Sequence, residues 1–117
     1  MNNLGDVENL FDDFHWPEAL LKVIRLNLID YEYWYLMTAD QIFRRREGLL
    51  KRYPKRNLIP FAKRDDNDDI ACFVIEFGDR VFIVHDFASE GYEQRQEYDS
   101  FWSWFNGAIS EMINSEE

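Results

Sequence analysis

Two runs rich in β-branched and aromatic side chains, Ile70–Phe77 and Arg80–Asp86, are separated by only Gly78 and Asp79. So short a connection reads as a hairpin turn, and it makes the two strands antiparallel. Gly78 supplies at little steric cost the positive φ that a primed turn needs. The rest of the fold has to be built around this pair.

The other segments read in relation to it. Pro17 fits the first turn of a helix that carries Leu20, Leu21, Ile24 and Leu28 on one stripe. The run Ile29–Met37 reads as a strand, with Tyr31, Tyr33 and Tyr35 on one face and Glu32, Trp34 and Leu36 on the other. Thr38 followed by Gln41 is a capping-box pattern. It opens a helix holding Ile42, Phe43, Leu49, Leu50 and Tyr53, which Pro54 stops. A short strand is expected at Leu58–Ala62, then a charged loop from Lys63 to Asp69, and after the hairpin a loop from Ser89 to Glu97. The last element is a helix capped by Asp99 or Ser100, with Phe101, Trp102, Trp104, Phe105, Ala108, Ile109, Met112 and Ile113 at helical spacing. The sum is an α+β domain: an antiparallel sheet of about four strands with helices packed mainly on one face. A single domain spans 1–117, with its core at about 16–113, since no repeat, low-complexity block or linker interrupts the 117 residues.

Charge and composition limit what such a domain does. With 46% hydrophobic and 17% aromatic residues the chain is far too apolar for disorder. Residues 1–13 hold four acids and no base, unlike a secretory or transit peptide, so a cytoplasmic location is expected. Acids outnumber bases 23 to 13, a net charge of −10 that opposes nonspecific binding to DNA or anionic membranes. The charge is segregated: residues 44–64 sum to +8, residues 1–43 to −6 and residues 65–117 to −12. A basic strip on an acidic body either pairs internally or docks an acidic partner.

Candidate catalytic and metal motifs fail on geometry. Counted from Asp65, the residues Asp65, Asn67, Asp69 and Glu76 match positions 1, 3, 5 and 12 of a calcium-binding EF-hand loop, but Ile70 occupies the place where glycine must make the turn. The residues after it form a strand. His85 and Asp86 are adjacent on a strand and so point to opposite faces, unsuited to act as a base and its orienting carboxylate. A metal-dependent hydrolase using Asp68, Asp69, His85 and Asp86 is the weakest of three readings. Cys72, the one cysteine, excludes a disulfide framework and sits in an apolar run as a buried thiol. No phosphate-binding glycine loop or nucleophile elbow occurs, so neither enzymatic activity nor a cofactor is expected. Tyr92 and Arg95 are instead the residue types that anchor protein interfaces.

Several segments, in order, resemble the SUKH superfamily. They are Leu58-Ile59-Pro60-Phe61-Ala62, Asp68-Asp69-Ile70-Ala71-Cys72-Phe73, Val84-His85-Asp86-Phe87-Ala88-Ser89 with Gly91-Tyr92-Glu93, and Ser100-Phe101-Trp102-Ser103-Trp104-Phe105. Trp16-Pro17-Glu18 resembles the opening helix, although Ile29-Asp30-Tyr31 follows without the glycine turn of many members. The resemblance, to the domain of Smi/Knr-type cell-wall assembly regulators and bacterial toxin-immunity proteins, implies an α+β fold and a non-enzymatic role. For a bacterial member it implies neutralisation of a cognate toxin, often a nuclease. The charge map fits that role, because a nuclease presents a positive cleft toward which an acidic inhibitor is steered. Asp65, Asp66, Asp68, Glu90, Glu93 and Glu97 are the acids expected to stand where phosphates would sit, with Tyr92 and Arg95 beside them. A regulatory or scaffold module docking through the Arg44–Arg64 strip is the alternative.

Overall fold

Five strands follow one another across one antiparallel sheet in the order β1-β2-β3-β4-β5. They are β1 Trp34–Leu36, β2 Leu58–Arg64, β3 Asp69–Val74, β4 Val81–His85 and β5 Gln94–Tyr98. Four helices complete the fold: α1 Leu4–Glu8, α2 Glu18–Arg25, α3 Ala39–Arg52 and α4 Phe101–Asn114. This computed structural model describes residues 3–115. The class is α+β, with one strand more than the sequence pattern indicates.

The helices start where side chains satisfy their free N–H groups. Thr38 accepts from the Gln41 N–H at 3.3 Å, and Gln41 returns its carbonyl oxygen to the Thr38 N–H at 2.8 Å. Thr38→Ala is expected to cost about 1 kcal/mol of unfolding free energy, read from urea denaturation; an unchanged midpoint would show that tertiary packing alone sets this helix start. Ser100 caps α4 by accepting from the Ser103 N–H, and Asp79 accepts from the Phe101 N–H. At the end of α2, Asn27 takes a positive φ of 60° while the Leu28 N–H reaches back to the Val23 carbonyl. That closure stops the helix at Arg25, so Leu28 lies beyond it and is exposed.

Three sequence expectations change in detail. Of the strand expected over 29–37 only Trp34–Leu36 forms, as β1, and the residues before it make a tight reversal, because Glu32 and Tyr33 both have positive φ, 61° and 76°. Across it the Tyr31 N–H donates to the Trp34 carbonyl and the Leu36 N–H to the Ile29 carbonyl, so Tyr31 and Trp34 are both buried. The hairpin between β3 and β4 exists, but a two-residue turn would set Cys72 opposite His85, and Cys72 lies opposite Phe82. Residues Ile75–Phe77 leave the ladder as a short 3-10 turn, and Gly78 follows with φ 61°. The third change is that the end of the expected Ser89–Glu97 loop is β5, an edge strand whose residues are exposed except for half-buried Tyr98.

Alternation along β3 divides the interior in two. Ala71 and Phe73 face the main core with Ile59, Phe61, Ile83, Phe101 and Trp104. Ile70 and Cys72 face the other way, into a smaller cluster with Leu49, Tyr53, Leu58 and Val84. Most helices serve the main core: α1 gives Val7, α2 gives Leu20 and Val23, and α4 gives Phe101, Trp104 and Ala108. Helix α3 contributes Ile42 to the main core and Leu49 to the opposite face. Trp104 packs edge-on against Phe61 and Trp34, with ring centroids 5.0 and 5.5 Å away, and Phe61 stacks on Phe73 at 4.3 Å. The aromatics of the last helix therefore do fill the space between helix and sheet. Cys72 is fully buried, and burial pushes its thiol well above the ordinary range.

Candidate protein-binding surface

In a meander of antiparallel strands, alternate connections emerge at the same end of the sheet. The β2–β3 connection at 65–68 and the β4–β5 connection at 86–93 are such neighbours, tied by the Asp86 N–H donating to the Asp68 carbonyl at 3.0 Å. The Glu32–Tyr33 turn joins them, because the Asp65 N–H donates to the Tyr33 carbonyl at 2.8 Å. The end of the sheet thus carries Glu32, Asp65, Asp66, Asp68 and Glu90, all exposed. Four strands spaced by about 4.8 Å spread these acids over roughly 15 Å.

Beneath this rim lies a set of buried ion pairs. Asp86, with no exposed surface, accepts Arg52 Nε at 2.7 Å on one oxygen, and Arg52 Nη2 and Arg45 Nη1 at 2.8 Å on the other. The N–H of Phe87 completes its shell at 2.9 Å. Burial by itself raises the Asp86 carboxyl, but the hydrogen bonds from Arg52, Arg45 and the Phe87 N–H outweigh it and hold the group below its ordinary value. Glu93, also buried, accepts Arg56 Nη1 at 3.1 Å and the Gly91 N–H at 2.7 Å. Its burial is likewise outweighed, by its own backbone N–H, Arg56 and the Gly91 N–H, so its carboxyl too is held low. Tyr53 adds a third tie, its hydroxyl donating to the Ala88 carbonyl at 2.7 Å.

These ties hold the loop from below and leave its aromatic side chains outside. Phe87 is 61% exposed and Tyr92 77% exposed. Phe87 sits at a φ of 70°, a conformation unfavourable for a side chain with a Cβ. Its ring lies over the Arg52 guanidinium at 4.1 Å, so an arginine locked to a buried carboxylate supports an exposed aromatic. The loop thus exposes two aromatics above buried ion pairs, with exposed acids on the neighbouring turns, and large aromatics held in this way are the residue types that anchor protein interfaces.

The expected site residues divide accordingly. Asp65, Asp68, Glu90 and Tyr92 stand on the surface at one end of the sheet. Asp66 is there too, paired with Arg64 at 2.7 Å, and that hydrogen bond lowers its carboxyl against the effect of burial. Glu93 turns inward and supports the surface rather than forming it. Arg95 and Glu97 belong to β5, where the pairing shifts between Ile83 and Val84, and Glu97 pairs with Arg80 at 2.7 Å. They lie along the sheet edge, away from the loop acids. Glu32 and Phe87 are the surface residues missed in the sequence. A positive-φ turn made without glycine hid the first, and the second reads as one more apolar residue after a strand.

His85 does not meet Asp86; its Nδ1 lies 2.7 Å from Asp69 Oδ1. Asp69 begins β3, so the EF-hand pattern is broken by strand geometry at its fifth position. Among the described residues no three His, Cys, Asp or Glu side chains gather as metal ligands, and no helix is long and apolar enough to cross a membrane. Fold and surface together describe an α+β domain presenting a preorganised acidic and aromatic loop surface. No protein-family model, curated protein or solved structure matches the chain.

Proposed function

We propose that this chain is a SUKH-type immunity protein that neutralises a cognate toxin by covering its working surface, and that it catalyses no reaction itself. The observation that supports this reading is the loop 86–93, which exposes Phe87 and Tyr92 while buried Asp86 and Glu93 fasten it to Arg45, Arg52 and Arg56. A binding surface prepared in this way loses little side-chain freedom on association. The acids around it and the net charge of −10 favour a basic partner surface, as a nuclease cleft presents. The alternative, a regulatory or scaffold module docking through the basic strip, has less support because Arg45, Arg52 and Arg56 each give part of their guanidinium to Asp86 or Glu93 and Arg64 pairs with Asp66 and Glu111, so the strip is not a continuous free cationic surface.

The test is co-purification with the product of the neighbouring gene, followed by rescue of cells expressing that product. Turnover of a substrate by the purified protein, abolished by His85→Ala or Asp69→Ala, would overturn the reading. Steering makes a kinetic prediction as well. Combining Asp65→Asn, Asp68→Asn and Glu90→Gln should slow association about ten-fold at low salt and flatten its salt dependence. Stopped-flow mixing at several salt concentrations measures both, and an unchanged association rate would remove these acids from the encounter.

A further inference from the structure

Helix α3 and the β1–β2 edge of the sheet enclose a cleft of about 340 Å³, within the ~300–1,000 Å³ usual for small-molecule sites. Arg44, Arg45, Arg52 and Lys63 line it, and no acidic side chain of the described residues does. Asp86, buried behind it, takes one nitrogen of Arg45 and two of Arg52, so part of each guanidinium keeps its donors. Lys63 donates to the backbone carbonyls of Arg64 and Asn67 and forms no ion pair within 4 Å among the described residues. The lining therefore carries four cations and no carboxylate, backed by the Asp86 carboxylate that Arg45 and Arg52 share, in a chain that is otherwise acidic.

Two further features prepare this cleft for an anion. Gly48 sits inside α3, where glycine costs about 1 kcal/mol relative to alanine. A Cβ at that position would lie 2.6 Å from Arg52 Nη2, so the glycine lets the guanidinium lie flat against the helix. Gln41 spends its side-chain oxygen on the Thr38 N–H, which leaves the amide NH2 as a donor at the cleft. Donors and cations converge there, and Asp40 and Glu47, although on the same helix, do not line it.

We propose that this cleft binds a small, multiply charged phosphate compound of the pyrophosphate class. An extended polyanion such as nucleic acid or an anionic membrane has to approach a body of net charge −10, whereas a small anion meets only the local excess of cations. Phosphate oxygens match the planar donor fork of arginine. The proposal stands apart from the toxin-binding reading, because neither Phe87 nor Tyr92 lines the cleft.

The experiment is calorimetric titration of the full chain with inorganic pyrophosphate at physiological ionic strength, with sulfate as the control anion. Wild type, Arg44→Glu, Lys63→Met and Tyr92→Ala are compared after their folding is checked by circular dichroism. Saturable one-site binding of pyrophosphate is expected, weakened about ten- to hundred-fold by Arg44→Glu. Lys63→Met should weaken it too, and Tyr92→Ala should leave it unchanged. No saturable heat with pyrophosphate, equal binding of sulfate, or wild-type affinity in Arg44→Glu would each overturn the proposal. So would tighter cleft-dependent binding of an acidic peptide, which would give the cleft to a protein partner.

Discussion

Asp86→Ala is expected to lower the unfolding free energy by about 3 kcal/mol, near the low end of the ~3–5 kcal/mol lost when one member of a buried pair is removed. The low end applies because Arg45 and Arg52 keep side-chain exposures of 24% and 30%, so water partly solvates the charges left behind. The same carboxylate sets an acid limit. Asp86 and Glu93 are both held below their ordinary values in the fold, so the unfolded chain binds protons more readily. Their stabilisation is therefore complete above the unfolded-state values of about 4 and is lost as pH falls through the lower folded values. Urea midpoints measured from neutral pH down to about pH 3 should show wild type losing stability steeply and Asp86→Ala starting lower but falling less. Parallel curves, or a loss under about 1 kcal/mol at neutral pH, would mean that the arginines find water as good a partner as Asp86.

Replacing the two exposed aromatics should act on binding while leaving folding nearly intact. Each interface anchor of this kind contributes about 2 kcal/mol, or about thirty-fold in affinity, so Phe87→Gly with Tyr92→Ala should weaken toxin binding by several hundred-fold, ~10³ at most. Glycine is chosen at 87 because it accepts the positive φ there without strain. Relief of that strain offsets the lost contact with Arg52, and the unfolding free energy should change by less than about 1 kcal/mol. Surface plasmon resonance against the purified toxin reads the affinity and urea denaturation the stability. Wild-type affinity in the double variant would move the interface elsewhere on the molecule.

The parts of the fold legible in the sequence are those with short-range signals. Thr38 and Gln41 announce the start of α3 three residues apart, and Phe101, Trp104 and Ala108 mark the buried stripe of α4. Strand β5 was not legible, because Gln-Arg-Gln-Glu lies exposed at an edge and carries no apolar alternation. The reversal at Glu32–Tyr33 was hidden for a different reason: neither residue favours a positive φ, and burial of Tyr31 and Trp34 beside Trp104 imposes it from outside. The hairpin shift arises in the same way. Ile75–Phe77 carries residues that suit a strand, yet it turns out of the ladder, and Asp79 then reaches the first N–H of α4.

By itself, the sequence determined the class, the capped starts of α3 and α4, the two central strands and the segregation of positive charge into residues 44–64, since each depends on neighbours a few positions apart. Only the tertiary structure decided what that charge does. Asp86 meets Arg52 and Arg45 from 34 and 41 residues away, and Glu93 meets Arg56 from 37, distances over which no local pattern specifies a partner. Chain topology set α3 against β2 and within arginine reach of Asp86 just after β4, and burial then selected the pairs, because a carboxylate removed from water persists only where guanidinium groups replace the lost hydration.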